Sequence, residues 1–587
     1  MAELALDEKL IVPLLGGPIL LNSEPMANQS RRSTKLSPRC SSLTLQDEAH
    51  SLLSNNCRLD VCSSKGSQLR KQVSASSLRP ERQTRAMPLN VSRCRRSEPF
   101  AVPDSIVVTL LQALAQTGVP LSEAEFFEAL VRQAGARRPF PSLAQLYGSF
   151  LPALRRQHEL ALCHSLRHRD AFVFLHEATT DDGRAALGLS LLPLNRLGQS
   201  PLLLGIEILE QMSHPLVARA VARMLSEGHV LFHRVLAVVT SGGAPMIQAF
   251  AANGILGAVL PAALHVPCFY HQLELVMELW QDKLERLVSL QHLLEETFGR
   301  RPTLRHRYAL FLKEHELKLS LPVCNRPAGP EVWLEKAIGI AEHLPVLREF
   351  VATDEVEGPI MAKLQSILIE NDKELVAEAI FIAEHAQGLL AMARFLHQTG
   401  EPLAHRIYGE LDSLRVSFSY HLDARLGPNT EQHLALCPPQ LAKQFRKILA
   451  QSLSHLEHLF DTHPAMPTLK AVRALDPKQL GAVGWSQIEQ DQGIPGLLEV
   501  PEMEWFRYQH LAEAAPADVS LPQWWEAHAE QLPMLSPLAR RYLWLPVCSP
   551  KSPFLPGGFY NLPVAEDGFT QEGERLLCML RYNRKLL

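Results

Sequence analysis

Hydrophobic positions change period along the chain, and each change marks an element. Ile106, Val107, Leu110, Leu111 and Leu114 recur at helical spacing until Gly118-Val119-Pro120 stops the run. Ser122, three residues before Glu125, reads as a capping box, and Phe126, Phe127, Leu130 and Val131 supply the apolar face of the helix it starts. Leu143, Leu146, Tyr147, Phe150 and Leu151 predict a third helix, so residues 101–165 form a small helical module. Near residue 170 the period shortens. The continuous apolar run Ala171–Leu175, a hairpin turn at Asp182-Gly183, and strand-like text over 185–194 and 202–209 predict three consecutive antiparallel strands. A helix at 215–226, a buried strand at 231–240, a Ser241-Gly-Gly loop, a helix at 245–253 and a last strand at 264–269 follow. Strands first paired, then alternating with helices, make residues 166–272 a mixed α/β sheet covered on both faces.

Residues 273–460 are almost entirely helical in pattern, with long periodic segments at 273–299, 331–351, 372–398 and 440–460, within an all-helical region taken as 273–500. No fixed repeat recurs, which argues against a solenoid. A polar, irregular stretch fills 461–520. Within a final block at 501–587, an aromatic-rich helix spans Trp524–Leu545, Pro- and Gly-rich text occupies 546–563, and a terminal helix runs Gln571–Leu587.

Composition adds an asymmetry. The net charge is −4, yet residues 28–97 hold 14 Lys and Arg against four Asp and Glu, so an acidic body carries a basic arm. That arm also holds 15 serines and few aromatics, too little apolar surface to offset the entropy of ordering, so residues 1–100 read as a disordered tail. Its clusters Arg31-Arg32 and Arg93, Arg95, Arg96 are candidates for nuclear import or for contact with phosphates; a solvated linker is the plainer reading of any single cluster. Ten cysteines without repeated spacing suit free thiols in a reducing compartment rather than disulfides. The apolar stretch Leu10–Leu21 is broken by Gly16, Gly17 and Pro18, so no membrane span is expected. Glu3, Asp7 and Glu8 ahead of it argue against a secretory signal.

Several segments carry a resemblance. Phe172–Arg184 (FVFLHEATTDDGR), Val238–Met246 (VVTSGGAPM), Leu264–Leu273 (LHVPCFYHQL), Leu334–Phe350 (LEKAIGIAEHLPVLREF), Trp524–Ser549 and Glu574–Leu587 occur in an order that resembles the hAT superfamily of DNA transposases. Within it, Leu334–Phe350 resembles helical text in a vertebrate lineage related to the CGG-triplet-repeat-binding protein. The likeness covers most of 101–587. It implies an RNase H-like sheet interrupted by a large all-helical insertion and completed by a C-terminal dimerisation region. It also implies two Asp and one Glu that hold two divalent metals for in-line phosphoryl transfer.

The chemistry therefore tests charge at three positions. The first is His176, the second Ser241 (Gly242 if the alignment slips by one), and the third falls in Ser552-Pro553-Phe554. No Asp or Glu occurs between Glu227 and Glu274 or between Glu530 and Glu566, and Glu177, next to His176, should face the opposite side of its strand. The resemblance thus implies a protein that has lost strand transfer, with no catalytic residue, metal or cofactor. His176 reads as a core or surface histidine rather than a ligand.

Cys268 and His271 keep the family's Cys-x-x-His, for which a structural role is expected, and the zinc finger with which many relatives begin is missing. His164 with His168, and His455, His458 and His463, lack metal-site spacing and read as surface histidines. Ser241-Gly-Gly reads as a tight strand-to-helix turn. Trp524, Trp525, Leu538, Tyr542 and Trp544 are candidates for the dimer interface, with a fold core as the plain alternative. The expectation is an inactive, domesticated, nuclear and homodimeric protein that associates with DNA or chromatin and regulates transcription. Its nuclear protein partners are not specified by the sequence. The alternative is a protein-interaction scaffold that does not touch DNA.

Overall fold

A computed structural model describes residues 105–550 and 568–584, apart from 118–125, 136–139, 143–144, 181–182, 252, 316–328, 354–358, 370–371, 424, 483–492 and 517. The capping box at Ser122 and the whole of residues 1–100, with its arginines, lie outside these residues.

Five strands form one sheet: β1 (Ala171–Thr179), β2 (Ala185–Pro193), β3 (Leu202–Leu209), β4 (Val235–Thr240) and β5 (Leu264–Pro267), in the order β3-β2-β1-β4-β5. β1, β2 and β3 pair antiparallel, as the hairpin reading requires, whereas β1–β4 and β4–β5 are parallel. Alternation sorts the side chains. Phe172, Phe174, Ala237, Val239 and Val266 enter a core shared with the helical region, while Val173, Leu175, Val235 and Val238 enter a second core beneath the helices His214–Glu227, Ala244–Phe250 and Ile255–Val259. Both faces are thus covered.

Several boundaries differ from expectation. The fourth strand begins at Val235 rather than 231 because Phe232–Arg234 make a 3-10 turn. The helix read as 245–253 ends at Phe250, and a separate helix, Ile255–Val259, follows Gly254, where a Cβ would fall 2.2 Å from the Ala249 carbonyl oxygen. The segment 273–299 breaks at Leu284 into Phe269–Lys283 and Glu285–Gly299. The segment 372–398 breaks at Ala386 into Lys373–His385 and Gln387–Leu396, bent by 47°. Residues 461–520 are not irregular: Met466–Val472 and Glu502–Glu513 are helical, and Trp505 and Tyr508 of the second are buried. The aromatic segment is also two helices, Leu521–Ala527 and Leu535–Tyr542, separated by a stretch containing Pro533. Among the described residues no single helix is long and apolar enough to cross a membrane; the bent pair passes by length and composition, and much of its apolar surface lies in the core.

The terminal helix Gly568–Tyr582 returns to the first helices. Leu576, Leu577 and Leu580 pack with Val107 and Leu111 of Ser105–Thr117 and with Leu151 and Leu154 of Leu151–Leu166. Asn583 fastens this arrangement: its amide donates to the Leu203 carbonyl at 2.8 Å and to His158 Nε2 at 2.9 Å, and its oxygen accepts the Leu203 N–H at 2.8 Å.

Candidate functional site at the carboxyl ends of β1 and β4

β1 and β4 are neighbours and parallel, so His176 near the end of one and Ser241 just after the other lie at the same edge of the sheet. His176 is buried, and one ring nitrogen, Nε2, is 2.8 Å from Ser190 Oγ on β2. Burial pushes its imidazole down to about 4, chiefly by denying the cation its water, so at neutral pH the ring is uncharged. It is a satisfied core histidine. Ser241 Oγ donates to Glu177 Oε1 and accepts the Gly243 N–H at 3.2 Å. Gly242 has φ +83°, and a Cβ there would lie 2.7 Å from Gln272 Nε2, which accounts for a glycine in this strand-to-helix turn. Thr240 Oγ1 meets His265 Nε2 at 3.0 Å, and His265 stacks on Phe250 with ring centroids 4.3 Å apart.

β5 brings the Cys-x-x-His text to this edge. The Cys268 N–H donates to the Thr240 carbonyl at 2.8 Å, and the buried thiol lies against His271. The chain's distant C-terminal block joins here as well: Phe269 N–H donates to the Val547 carbonyl at 3.0 Å, and Ser549 N–H reaches Cys268 Sγ at 3.1 Å. Ser549 thus ends three residues short of Ser552, on the way to the third expected position. Pro553 itself lies outside the described residues, as do Arg31, Arg32, Arg93, Arg95 and Arg96.

His463 is not on the surface. It is buried, donates from Nε2 to the Pro267 carbonyl at 2.8 Å, accepts the Ala465 N–H on Nδ1 at 3.2 Å, and stacks on Phe269 at 4.1 Å. His463 is the C-cap just past the helix Pro439–Thr462, so the helical spacing of its neighbours could not show that it faces inward. Glu177 is the carboxylate in direct contact with Ser241, and Glu274 lies near Cys268 and His271. Among the described residues no group of three or more His, Cys, Asp or Glu is placed to hold a metal ion. The arrangement can keep a hydrogen-bonded edge, buried at its histidines His176 and His265 and half-buried at Ser241 and Glu177, and one polarised thiol–imidazole contact.

The aromatic candidates serve the fold. Trp524 and Trp525 are buried, Trp525 Nε1 donates to the Leu475 carbonyl at 3.0 Å, and Leu538, Tyr542 and Trp544 pack against the same core. Among the described residues of 501–587 the exposed large apolar side chains are Met503, Phe506 and Met534.

Sequence reasoning missed a charged cavity at the opposite end of the sheet. Arg169, Asp170, Leu194, Asn195, Arg234, Pro537, Arg540 and Arg541 line about 370 Å³. Asp170 accepts from Arg234 at 2.9 Å and from Arg541 at 2.9 Å, and Arg169 and Arg540 line the same cavity. These residues come from four separated stretches of chain, and no spacing could have revealed their meeting. A scan of the chain against protein-family models finds no match, and neither does a search of curated proteins.

Proposed function

We propose that the chain is a non-catalytic, hAT-like nuclear protein with an RNase H-like sheet, and that it associates with DNA or chromatin as a homodimer to regulate transcription. The observation that carries the non-catalytic half is the edge where β1 and β4 end: a buried, uncharged His176 and a hydroxyl, Ser241, occupy the two positions where the resemblance implies aspartates. Two divalent cations on a polyanion need several carboxylates, and neutral donors do not offset that charge. The strand order β3-β2-β1-β4-β5 with an antiparallel hairpin at one side supports the RNase H-like reading.

Association with DNA is supported by the basic arm and by the arginine-lined cavity, because guanidinium groups match phosphate oxygens in pairs. Contacts of this kind give salt-dependent binding with little sequence preference. The test is to incubate the full chain with duplex DNA and magnesium or manganese. Retention of intact DNA in a salt-sensitive complex is expected. Metal-dependent cleavage that His176→Ala abolishes would overturn the non-catalytic reading. A protein that binds no duplex at low salt would be the interaction scaffold instead, a role that the exposed Met503 and Phe506 would serve.

A further inference from the structure

Two cysteines that are 280 positions apart in the chain meet where β5 ends. Cys268 Sγ and Cys548 Sγ lie 3.7 Å apart, and Cys268 is fully buried while Cys548 is partly exposed. The backbone around them is fixed by the bonds from Cys268 N–H to Thr240 and from Phe269 N–H to Val547, so the approach of the sulfurs is set on both sides. We propose that Cys268 and Cys548 are an oxidation site, forming a reversible disulfide when a hydroperoxide reaches the exposed side of the pair and so tying the C-terminal block to the sheet.

The distance supports this. A disulfide needs sulfurs about 2.05 Å apart, so the pair must close by less than 2 Å, roughly one side-chain readjustment. The surroundings supply the reactivity. Burial opposes ionisation of Cys268, but the hydrogen bonds it shares with Cys548, His271 and the Ser549 N–H together hold its thiol well below the usual range. His271 is raised by its hydrogen bond to that sulfur, against the cost of burial. Cys548 is raised, first by its hydrogen bond to Cys268 and then by burial, so the proton rests on the outer sulfur and passes within the pair.

The chemistry balances as follows. The Cys548 sulfur attacks one peroxide oxygen as its own proton passes to the leaving hydroxide. The S–O bond forms, the O–O bond breaks, and water leaves. The Cys268 thiolate, whose proton His271 holds, then attacks the Cys548 sulfenic acid; the S–S bond forms, the S–O bond breaks, and the second hydroxide leaves as water with the proton from His271. Two thiols lose two electrons, and hydrogen peroxide is reduced to two waters.

The experiment exposes the full chain to hydrogen peroxide, blocks remaining thiols with an alkylating agent and maps the peptides by mass spectrometry. A Cys268–Cys548 cross-linked peptide is expected, about 2 Da lighter than the sum of its reduced halves and lost on treatment with dithiothreitol. Cys548→Ser, at the partly exposed member, should remove that peptide and leave the unoxidised chain's circular dichroism and thermal midpoint unchanged. Oxidation of other cysteines without this cross-link would overturn the proposal, as would a stoichiometric zinc ion that shields both thiols from alkylation. The wild-type map is decisive by itself, so a misfolded variant would not blur the result.

Discussion

The two ends of the sheet differ in charge. At the carboxyl ends of β1 and β4, His176, Thr240, Ser241 and His265 form neutral or shared hydrogen bonds, and burial holds both imidazoles near 4. At the other end, Asp170 is clamped by Arg234 and Arg541 while Arg169 and Arg540 line the same cavity. The difference teaches that one sheet can carry unlike ends: at the carboxyl ends neutral rings and hydroxyls prevail, with Glu177 held by Ser241, whereas the opposite end gathers arginines around a single carboxylate.

The largest expected effect sharpens the neutral end. His158, His176, His265, His385 and His463 are all pushed down to about 4, chiefly by burial. The unfolded chain binds these protons near pH 6.5 and the folded chain does not, so stability is present above 6.5 and is lost as pH falls toward 4. At pH 5 each group costs about 2 kcal/mol, enough together to unfold a domain of ordinary stability. Thermal unfolding measured from pH 7.5 to pH 5 should show a steep fall; a flat profile would mean these rings are hydrated and the edge is open.

His176→Asp comes next. An unpaired carboxylate in that buried position should cost about 3 kcal/mol at neutral pH, and less in mild acid as it takes up a proton. Denaturant unfolding at two pH values checks both the size and the sign. If the variant is as stable as the parent at pH 7 and gains affinity for manganese, the neutral end is still a metal cleft.

At the charged end, Asp170→Ala removes a carboxylate whose side chain is 12% exposed and bonded twice. Stability should fall by about 1–3 kcal/mol. Duplex affinity at low salt should rise in the same protein, because two guanidinium groups lose their competitor. A loss of both would show that the cluster is a structural tie alone. The smallest effect belongs to Arg540→Ala, which is exposed: stability should change by no more than about 0.5 kcal/mol, and the salt slope of duplex binding should fall by about 1.

The sheet was legible because its strands are short, apolar and flanked by turn residues, and β3 lies where alternation placed it. The helical block was legible as helical but not in its breaks. Nothing in the local pattern marks Leu284 or Ala386 as ends, since neither is glycine or proline and tertiary packing turns the chain there. The helix Glu502–Glu513 was hidden because its buried residues, Glu504, Trp505 and Tyr508, include a carboxylate, and Glu504 Oε1 accepts the N–H groups of Met534 and Leu535 at 2.9 and 2.8 Å. At the site, His176, Ser241, Cys268 and His271 could be picked out from short motifs. Cys548 and the arginine cavity could not, because their partners come from distant stretches of chain and only the fold brings them together.

The most direct test of the account is duplex binding by the full chain across a salt series from 50 to 200 mM, about the range over which phosphate contacts weaken most visibly. It would be compared with a variant carrying Arg169→Ala and Arg540→Ala. The account predicts a linear fall of log affinity with log salt, a shallower slope in the variant, and no change in the length of the DNA when magnesium is added. Binding that ignores both salt and the two arginines, or DNA that is cut when magnesium is present, would contradict it.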